Sequence, residues 1–327
     1  MMRFGILGAA RVAPMALLEP ASRRSDVEIV AIAAKRPGAA KEFASAWNIA
    51  TAYDSYDDLV NDLAVDVVYN ALPPHLHAEF SIKALEAGKH VLCEKPFAMN
   101  LREAQRMQEA AILNGRRIVE AFHDRYHPVF AYLRKVTQEG RCGKIQSLSA
   151  TFNHSIPEDP REFRRVAAMG GGALMDLGCY PVHWCRSLLG EEPEITRAEA
   201  LLSSDGYDEE IRATLRFRSG VEATIEALMT PGWTYYARFT IVGDRGTIVA
   251  ENSLLPHRGH SIIENIDGVF RQHTIAGNTT FDHQLDAFLN ALASGEILPT
   301  EGPDPIGNMG TIDAIYAQAG VKKNGEL

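Results

Sequence analysis

The chain carries four cysteines in 327 residues, Cys93, Cys142, Cys179 and Cys185, and no two of them form a Cys-x-x-Cys pair or a metal-finger spacing. Disulfide frameworks and structural zinc modules are thereby excluded, and reduced thiols in a cytoplasmic protein are expected. Basic blocks and aromatic-basic interleaving are also missing. With 33 Lys and Arg against 42 Asp and Glu, the net charge is −9, so nucleic acid is not an expected partner. No apolar run approaches the length of a membrane span, and only four apolar residues follow Met1-Met2-Arg3 before turn chemistry begins. Neither a membrane segment nor a signal core is expected. Low-complexity segments and internal repeats are absent as well. Hydrophobic residues make up 46% and charged residues 23%, an ordinary globular balance, and the length sets a prior of two domains.

The first part of the sequence alternates short apolar runs with helical patterns. Strands are expected at Arg3–Leu7, Val27–Ala34, Ala50–Tyr53, Val65–Leu72, His90–Cys93 and Arg117–Ala121. Helices are expected at Arg11–Arg23, Gly38–Trp47, after a Ser55 cap, at His75–Ala87 up to Gly88, and at Leu101–Asn114. Apolar strands between amphipathic helices predict a doubly wound parallel sheet. After about Phe122 a helix is expected at Val129–Gln138, and then alternating β-branched segments take over: Ile145–Phe152, Ile195–Leu202, Glu210–Phe217, Val221–Leu228, Ala237–Val242 and Thr247–Ala250. Turns such as Gly243-Asp244-Arg245-Gly246 separate them. A helix near Gly172–Leu189 interrupts this sheet, and helices at Phe281–Ala293 and Asp304–Ala319 close the chain. The expected fold class is α/β: a doubly wound parallel sheet over residues 1–121, then an α/β domain over 122–327 built on an open, mostly antiparallel sheet, the last helix being a candidate to pack back on the first domain.

Two features of the first domain carry chemistry. The turn Gly8-Ala9-Ala10-Arg11-Val12-Ala13 follows the first strand and precedes a helix. It reads Gly-x-Ala-x-x-Ala where a dinucleotide fingerprint has Gly-x-Gly-x-x-Gly/Ala. Gly8 suits the tight turn, and Ala10 replaces the glycine of close pyrophosphate approach. The second strand ends in Ala33-Ala34-Lys35-Arg36, with no acid for a ribose 2′-hydroxyl. Lys35 and Arg36 suit a 2′-phosphate, so NADP is the expected cofactor and NAD the alternative. The second feature is Glu94-Lys95-Pro96, directly outside the carboxyl end of the strand His90–Cys93. Ligands of open α/β sheets bind outside the carboxyl ends of the strands, where a lysine can exchange a proton beside a cofactor. By residue alternation Glu94 is expected to turn aside from Lys95, toward backbone or cofactor.

Several motifs occur in one order: the turn Gly8–Ala13, Ala71-Leu72-Pro73-Pro74-His75-Leu76-His77, Ala87-Gly88-Lys89-His90-Val91-Leu92-Cys93-Glu94-Lys95-Pro96, Glu120-Ala121-Phe122-His123-Asp124-Arg125-Tyr126-His127-Pro128, and Gly170-Gly171-Gly172-Ala173-Leu174-Met175-Asp176-Leu177-Gly178-Cys179-Tyr180-Pro181. Together they resemble the Gfo/Idh/MocA oxidoreductases, in particular the branch that holds dihydrodiol dehydrogenase, D-xylose dehydrogenase and glucose–fructose oxidoreductase. The resemblance covers nearly the whole chain. It implies a Rossmann domain, a second domain whose open sheet often makes the dimer contact, and hence a homodimer or homotetramer. It implies that Lys95 touches both cofactor and substrate, that Gly8, Ala9, Ala10, Arg11, Val12, Leu72, Pro73, His77 and Glu94 lie along the cofactor, and that Asp176 and Tyr180 act at the substrate. Inositol dehydrogenases carry His where Tyr180 stands, which favours the sugar and diol branch.

Asp176 and Tyr180, four residues apart, share one face of a helix. Tyr180 is the preferred acid/base, and Asp176 is expected to bind a substrate hydroxyl. His183, three residues further, and Arg164, in the loop before the glycines, are candidates to contact substrate. Pro181 predicts a local kink. His75, His77, His123 and His127 lack a carboxylate spaced to complete a metal site, and no metal is expected. The activity expected is hydride transfer between NADP and an alcohol or carbonyl carbon of a small polyhydroxylated molecule. A catalytically silent nucleotide-binding regulator is the alternative, and the intact Lys95, Asp176 and Tyr180 argue against it.

Overall fold

The computed structural model describes residues 1–159, 162–230, 232 and 235–321. Pro160 and Arg161, in the loop before the glycines, lie outside the described residues. The chain divides into two compact units, Met1–Phe122 with Phe281–Ile306, and His123–Thr280 with the segment from Gly307 onward.

The first unit runs β1 (Met2–Leu7), a π turn at Pro14–Leu18 continuing into α1 (Glu19–Ser22), β2 (Val27–Ala33), α2 (Ala39–Trp47), β3 (Thr51–Tyr53), α3 (Tyr56–Asn61), β4 (Val67–Asn70), α4 (His77–Glu86), β5 (His90–Cys93), α5 (Leu101–Leu113) and β6 (Ile118–Glu120). The sheet order is β3-β2-β1-β4-β5-β6, and every pair is parallel. This is the Rossmann order, with its switch point between β1 and β4. The strands are short; β4 and β6 are completely buried and β5 nearly so, as expected when helices cover both faces. Each buried Val, Ile or Leu contributes about 1.5–3 kcal/mol. Ser55 caps α3 by accepting from Asp58 N, and Asn100 caps α5 by accepting from Glu103 N. Phe281–Ile306 belongs to this unit through Thr300 Oγ1, which donates to Glu120 O (2.8 Å), and the ion pair Arg117–Glu301 (2.6 Å).

One helix departs from expectation. The pattern predicted helix over Arg11–Arg23, but regular turns begin only at Pro14, and the first is a π turn in which Glu19 N donates to Pro14 O. Ala10–Val12 are spent on the entry turn, where Ala13 N donates to Ala10 O. Pro20 supplies no N–H to the ladder.

The second unit contains α6 (Pro128–Gln138), β7 (Ile145–Asn153), a π turn at Leu174–Gly178 leading into α7 (Cys179–Leu189), then β8 (Glu194–Leu202), β9 (Asp208–Arg216), β10 (Glu222–Leu228), β11 (Tyr236–Gly243), β12 (Gly246–Glu251), β13 (Ser261–Ile266) and β14 (Val269–His273). Two C-terminal helices, α8 (Thr280–Ser294) and α9 (Pro303–Gln318), complete the chain. The described strands form one sheet, β14-β13-β12-β11-β7-β10-β9-β8. Only β7 and β10 pair in parallel; the other pairs are antiparallel. Alternate residues are buried, as along Tyr236–Gly243, because one face packs on helix and the other does not. Leu148, Ala150 and Phe152 face the core with Ala223, Ile225, Ala227 and Phe239, and the α7 ring of Trp184 sits 6.0 Å from Phe239. β13 and β14 were not foreseen. β14 is an edge strand with four of five residues exposed, so it lacks the apolar alternation that marks a strand. Pro181, where a kink was expected, lies in the first turn of α7, and the helical irregularity stands before it, in the π turn.

Candidate active site

Gly8 leaves β1 at φ +94°, a conformation that an L side chain rarely adopts. An added Cβ there would stand 3.0 Å from Ala71 O, the main chain leaving β4. Gly8 N donates to Ala33 O (2.9 Å) and Ala71 N to Leu7 O (3.0 Å), which fixes the turn at the switch point. Ala9 and Arg11 are exposed, and Ala10 and Val12 half-buried. No side chain caps the helix start at Ala13, so its amide ends suit a phosphate. Beyond β2, the Lys35 ammonium stands over the rings of Tyr56 (5.2 Å) and Phe80 (5.6 Å). Arg36 pairs with Glu42 at 3.1 Å, both about 70% exposed. Such a pair contributes little, so Arg36 can exchange it for a phosphate. The Gly8 turn, the uncapped helix start and these two cations fit a 2′-phosphorylated dinucleotide.

Lys95 follows β5 as the single half-buried residue in the otherwise buried run Val91–Ala98. Its bond to Pro96 is cis. Phe97 N donates to the buried Glu120 Oε1 (2.9 Å), which anchors the loop beyond it. Glu94 is buried, and its Oε1 accepts from the Tyr69 phenol at 2.6 Å. Burial, with the Glu94 charge, raises the Tyr69 phenol well above its usual range. His77, expected along the cofactor, has its ring turned to the main chain. It is fully buried, with Nε2 2.7 Å from Leu72 O and Nδ1 2.9 Å from Pro96 O. Burial lowers it to about 4, so the ring is neutral and donates to one of these carbonyls at a time. Its side chain thus acts on the loops after β4 and β5, which carry Leu72-Pro73 and Lys95.

In the second unit the glycine triplet enters the π turn under the control of Asp208. Asp208 Oδ2 accepts from Leu174 N (2.7 Å) and Oδ1 from the Tyr316 hydroxyl (2.8 Å). Gly172 has φ +124°, and a Cβ there would lie 2.0 Å from Asp208 Oδ1. Asp176, within the π turn, is half-buried, and the Arg164 guanidinium lies 3.7 Å from its Oδ2. Arg164 is itself held by two 2.8 Å bonds to the buried Glu162. Sequence reasoning named Arg164 and Asp176 separately as substrate contacts; their approach to each other and the Glu162 that orients Arg164 come from the structure.

Tyr180 is 4% exposed. Its ring meets Phe152 edge-on at 5.7 Å, and its hydroxyl lies 3.3 Å from His123 Nε2. His183 does not join Asp176 and Tyr180. It is fully buried, stacks on Phe130 at 6.5 Å, and its Nε2 lies 3.0 Å from Ser187 Oγ. The π turn adds a residue to the helical ladder and breaks the seven-residue phase that placed His183 beside Asp176. Next to His123, Asp124 is buried and accepts from Trp184 Nε1 at 2.6 Å. Burial pushes its carboxyl up to about 6, against the pull of His183 and the Trp184 bond. His123 and Asp124 went unassigned in the sequence; their place directly after β6 was the available signal.

Comparison with known proteins agrees with this geometry. Residues 2–122 match the model of the GFO_IDH_MocA oxidoreductase family, NAD-binding Rossmann fold, and residues 130–249 match the GFO/IDH/MocA C-terminal domain. A D-xylose 1-dehydrogenase (NADP(+)) from Haloferax volcanii is 29% identical over 97% of this chain and 97% of its own. A trans-1,2-dihydrobenzene-1,2-diol dehydrogenase from Xenopus tropicalis is 33% identical over 68% of this chain and 67% of its own. Among solved structures, the 3-ketoreductase KijD10 from Actinomadura kijaniata, crystallised with NADP and TDP-benzene, superposes with a TM-score of 0.90 at 28% identity, covering 97% of each chain. Sheet order, glycine turn, strand-end lysine and family models agree, and the chain belongs to the GFO/IDH/MocA family of oxidoreductases.

Proposed function

We propose that this protein is an NADP-dependent dehydrogenase or reductase acting on an alcohol or carbonyl carbon of a small sugar, polyol or cyclic diol. The observation that carries the reading is Lys95, half-exposed at the carboxyl end of a parallel strand while every neighbour from Val91 to Ala98 is buried. Ligands of such sheets bind outside the carboxyl ends of the strands, where a lysine can meet cofactor and substrate. Relatives named for D-xylose and for a dihydrobenzene diol support the substrate class, and a related ketoreductase crystallised with NADP supports the cofactor.

The division of labour follows from the side chains. Bound NADP supplies the carbon that takes or gives the hydride. Gly8–Val12 and the helix start hold its pyrophosphate, Lys35 and Arg36 its 2′-phosphate, and Leu72-Pro73 its nicotinamide half. Lys95 donates to the reacting oxygen and favours its negative charge during hydride transfer. Tyr180 exchanges the proton with that oxygen, and Asp176, oriented by Arg164, accepts from a neighbouring hydroxyl. The first unit is thus the cofactor unit and the second the substrate unit. Self-association through the helix-free sheet face around Thr151, Arg212 and Thr224 is part of the proposal, as is a cytoplasmic setting, in keeping with four free cysteines.

Absorbance of reduced nicotinamide, followed with NADP and a panel of aldoses, polyols and cyclic diols, tests the reading. Turnover is expected with at least one class. Binding of NADP without turnover anywhere on the panel would instead make the chain a regulator. Lys95→Ala should lower kcat by about 100-fold to 10,000-fold and leave the unfolding transition in place.

A further inference from the structure

We propose that His123 is the seat to which Tyr180 passes the reaction's proton, with Thr280 holding the imidazole in the tautomer that can receive it. The inference rests on Tyr180 as the acid/base and deepens that assignment. His123 is 5% exposed and opens the short turn His123–Tyr126 that follows β6. Its Nε2 lies 3.3 Å from the Tyr180 hydroxyl and its Nδ1 2.9 Å from Thr280 Oγ1. The two rings meet edge to face, 5.9 Å apart. Thr280 is fully buried, and its own N–H donates to His257 Nδ1 (3.4 Å). Other titratable or charged groups on or beside its turn are Asp124, Arg125, Tyr126 and His127, and His183 of α7 acts on Asp124. Asp124 accepts from Trp184, Arg125 lies over the Phe130 ring at 4.8 Å, and His183 lies beside Ser187 Oγ.

A phenol with an ordinary pKa of ~10 is a poor base at neutral pH, whereas an imidazole titrates near ~6.5. With Nδ1–H donated to Thr280 Oγ1, the bare Nε2 accepts the Tyr180 O–H. In oxidation the substrate O–H bond breaks and its proton bonds to Tyr180 Oη. The phenol's own proton leaves for His123 Nε2 in the same movement. The substrate C–H bond breaks with its electron pair, which departs as hydride to the bound cofactor. A carbonyl, an intact phenol and an imidazolium remain, and the imidazolium donates to Thr280 and Tyr180. Reduction runs the same transfers backwards. No phenolate has to be populated at any stage, and the imidazole exchanges its proton with solvent between turnovers. The same arrangement explains a buried histidine whose two ring nitrogens both meet hydroxyl oxygens: either charge state of the ring is hydrogen-bonded there.

The test compares wild type with His123→Gln, which keeps a hydrogen-bond acceptor for Tyr180 but cannot take its proton. Alcohol oxidation by wild type should rise with pH along a limb in the imidazole range. His123→Gln should lose that limb, be at least tenfold slower at pH 7, and recover toward pH 9.5; an unchanged limb overturns the proposal. Nitrogen-15 NMR of labelled imidazoles gives a readout independent of turnover. The resonance missing in His123→Gln is His123, and Tyr180→Phe should move its Nε2 shift and its midpoint; no movement likewise overturns the proposal. Tyr180→Phe that keeps full activity would instead sink the assignment of Tyr180 itself, a result distinct from an inactive Tyr180→Phe beside a His123→Gln with the wild-type limb. Should His123→Gln fail to fold, Thr280→Val leaves both rings in place and should displace the limb by about a pH unit; a limb left where it was refutes the relay.

Discussion

Asp124 offers the sharpest quantitative check on the second unit. Its side chain is 1% exposed, Oδ2 accepts from Trp184 Nε1, and Oδ1 is buried with no hydrogen-bond partner among the described residues. Burial raises its pKa from the ordinary 3.8 to about 6. The folded state therefore holds the proton more tightly than the unfolded chain does. Below pH 3.8 both states are protonated, and the group adds no pH dependence. Between 3.8 and about 6 the unfolded chain releases its proton first, and stability falls as pH rises. Above about 6 the loss is complete, and the rise from 3.8 to about 6 sets it at ~3 kcal/mol. Asp124→Asn keeps an acceptor for Trp184 and removes the charge. Its amide adds an unpaired donor whose cost does not vary with pH. The quantity to measure is therefore the difference between variant and wild type across pH, rather than either stability alone. Urea unfolding followed by tryptophan fluorescence at pH 4, 5, 6 and 7 should show that difference moving in favour of the variant by about 2.4 kcal/mol from the lowest pH to the highest. A difference constant across this range would refute the argument that burial makes the Asp124 charge costly.

The double variant Lys35→Ala/Arg36→Ala should raise the KM for NADPH about 10-fold to 100-fold, the worth of one or two charge-assisted bonds, while steady-state kinetics with NADH stay level; equal losses with both cofactors would show that the pair does not read the 2′-phosphate. Gly172→Ala places a Cβ 2.0 Å from Asp208 Oδ1 at φ +124° and should cost about 3 kcal/mol through backbone strain and the loss of the Leu174 and Tyr316 bonds. Calorimetry showing an unchanged Tm would mean that Asp208 does not hold the entry to the π turn.

How much was legible differs between the units for physical reasons. In the first, strands covered on both faces read as continuous apolar runs, and the glycine turn and Lys95 sit at strand ends that those runs mark. The ring partners of His77, the carbonyls of Leu72 and Pro96, were not legible, because a main-chain acceptor leaves no trace in sequence. In the second unit, alternation revealed β7 to β12, but edge strand β14 buries too little to show a pattern. The helical spacing of Asp176 and His183 assumed a regular helix, and the π turn Leu174–Gly178 broke that phase.

Local chemistry and period were enough to determine the Rossmann unit, the dinucleotide turn at Gly8, the cations after β2, the strand-end Lys95 and the family itself. Each is written in residues adjacent in the chain or repeated along one element. Only the tertiary structure brought His123 to Tyr180 across 57 positions and to Thr280 across 157, and set Asp208 over Leu174 across 34. Such pairs depend on strand order, register and helix phase, and a hydrogen bond is satisfied or lost within a few tenths of an ångström, a precision that spacing along a chain does not carry.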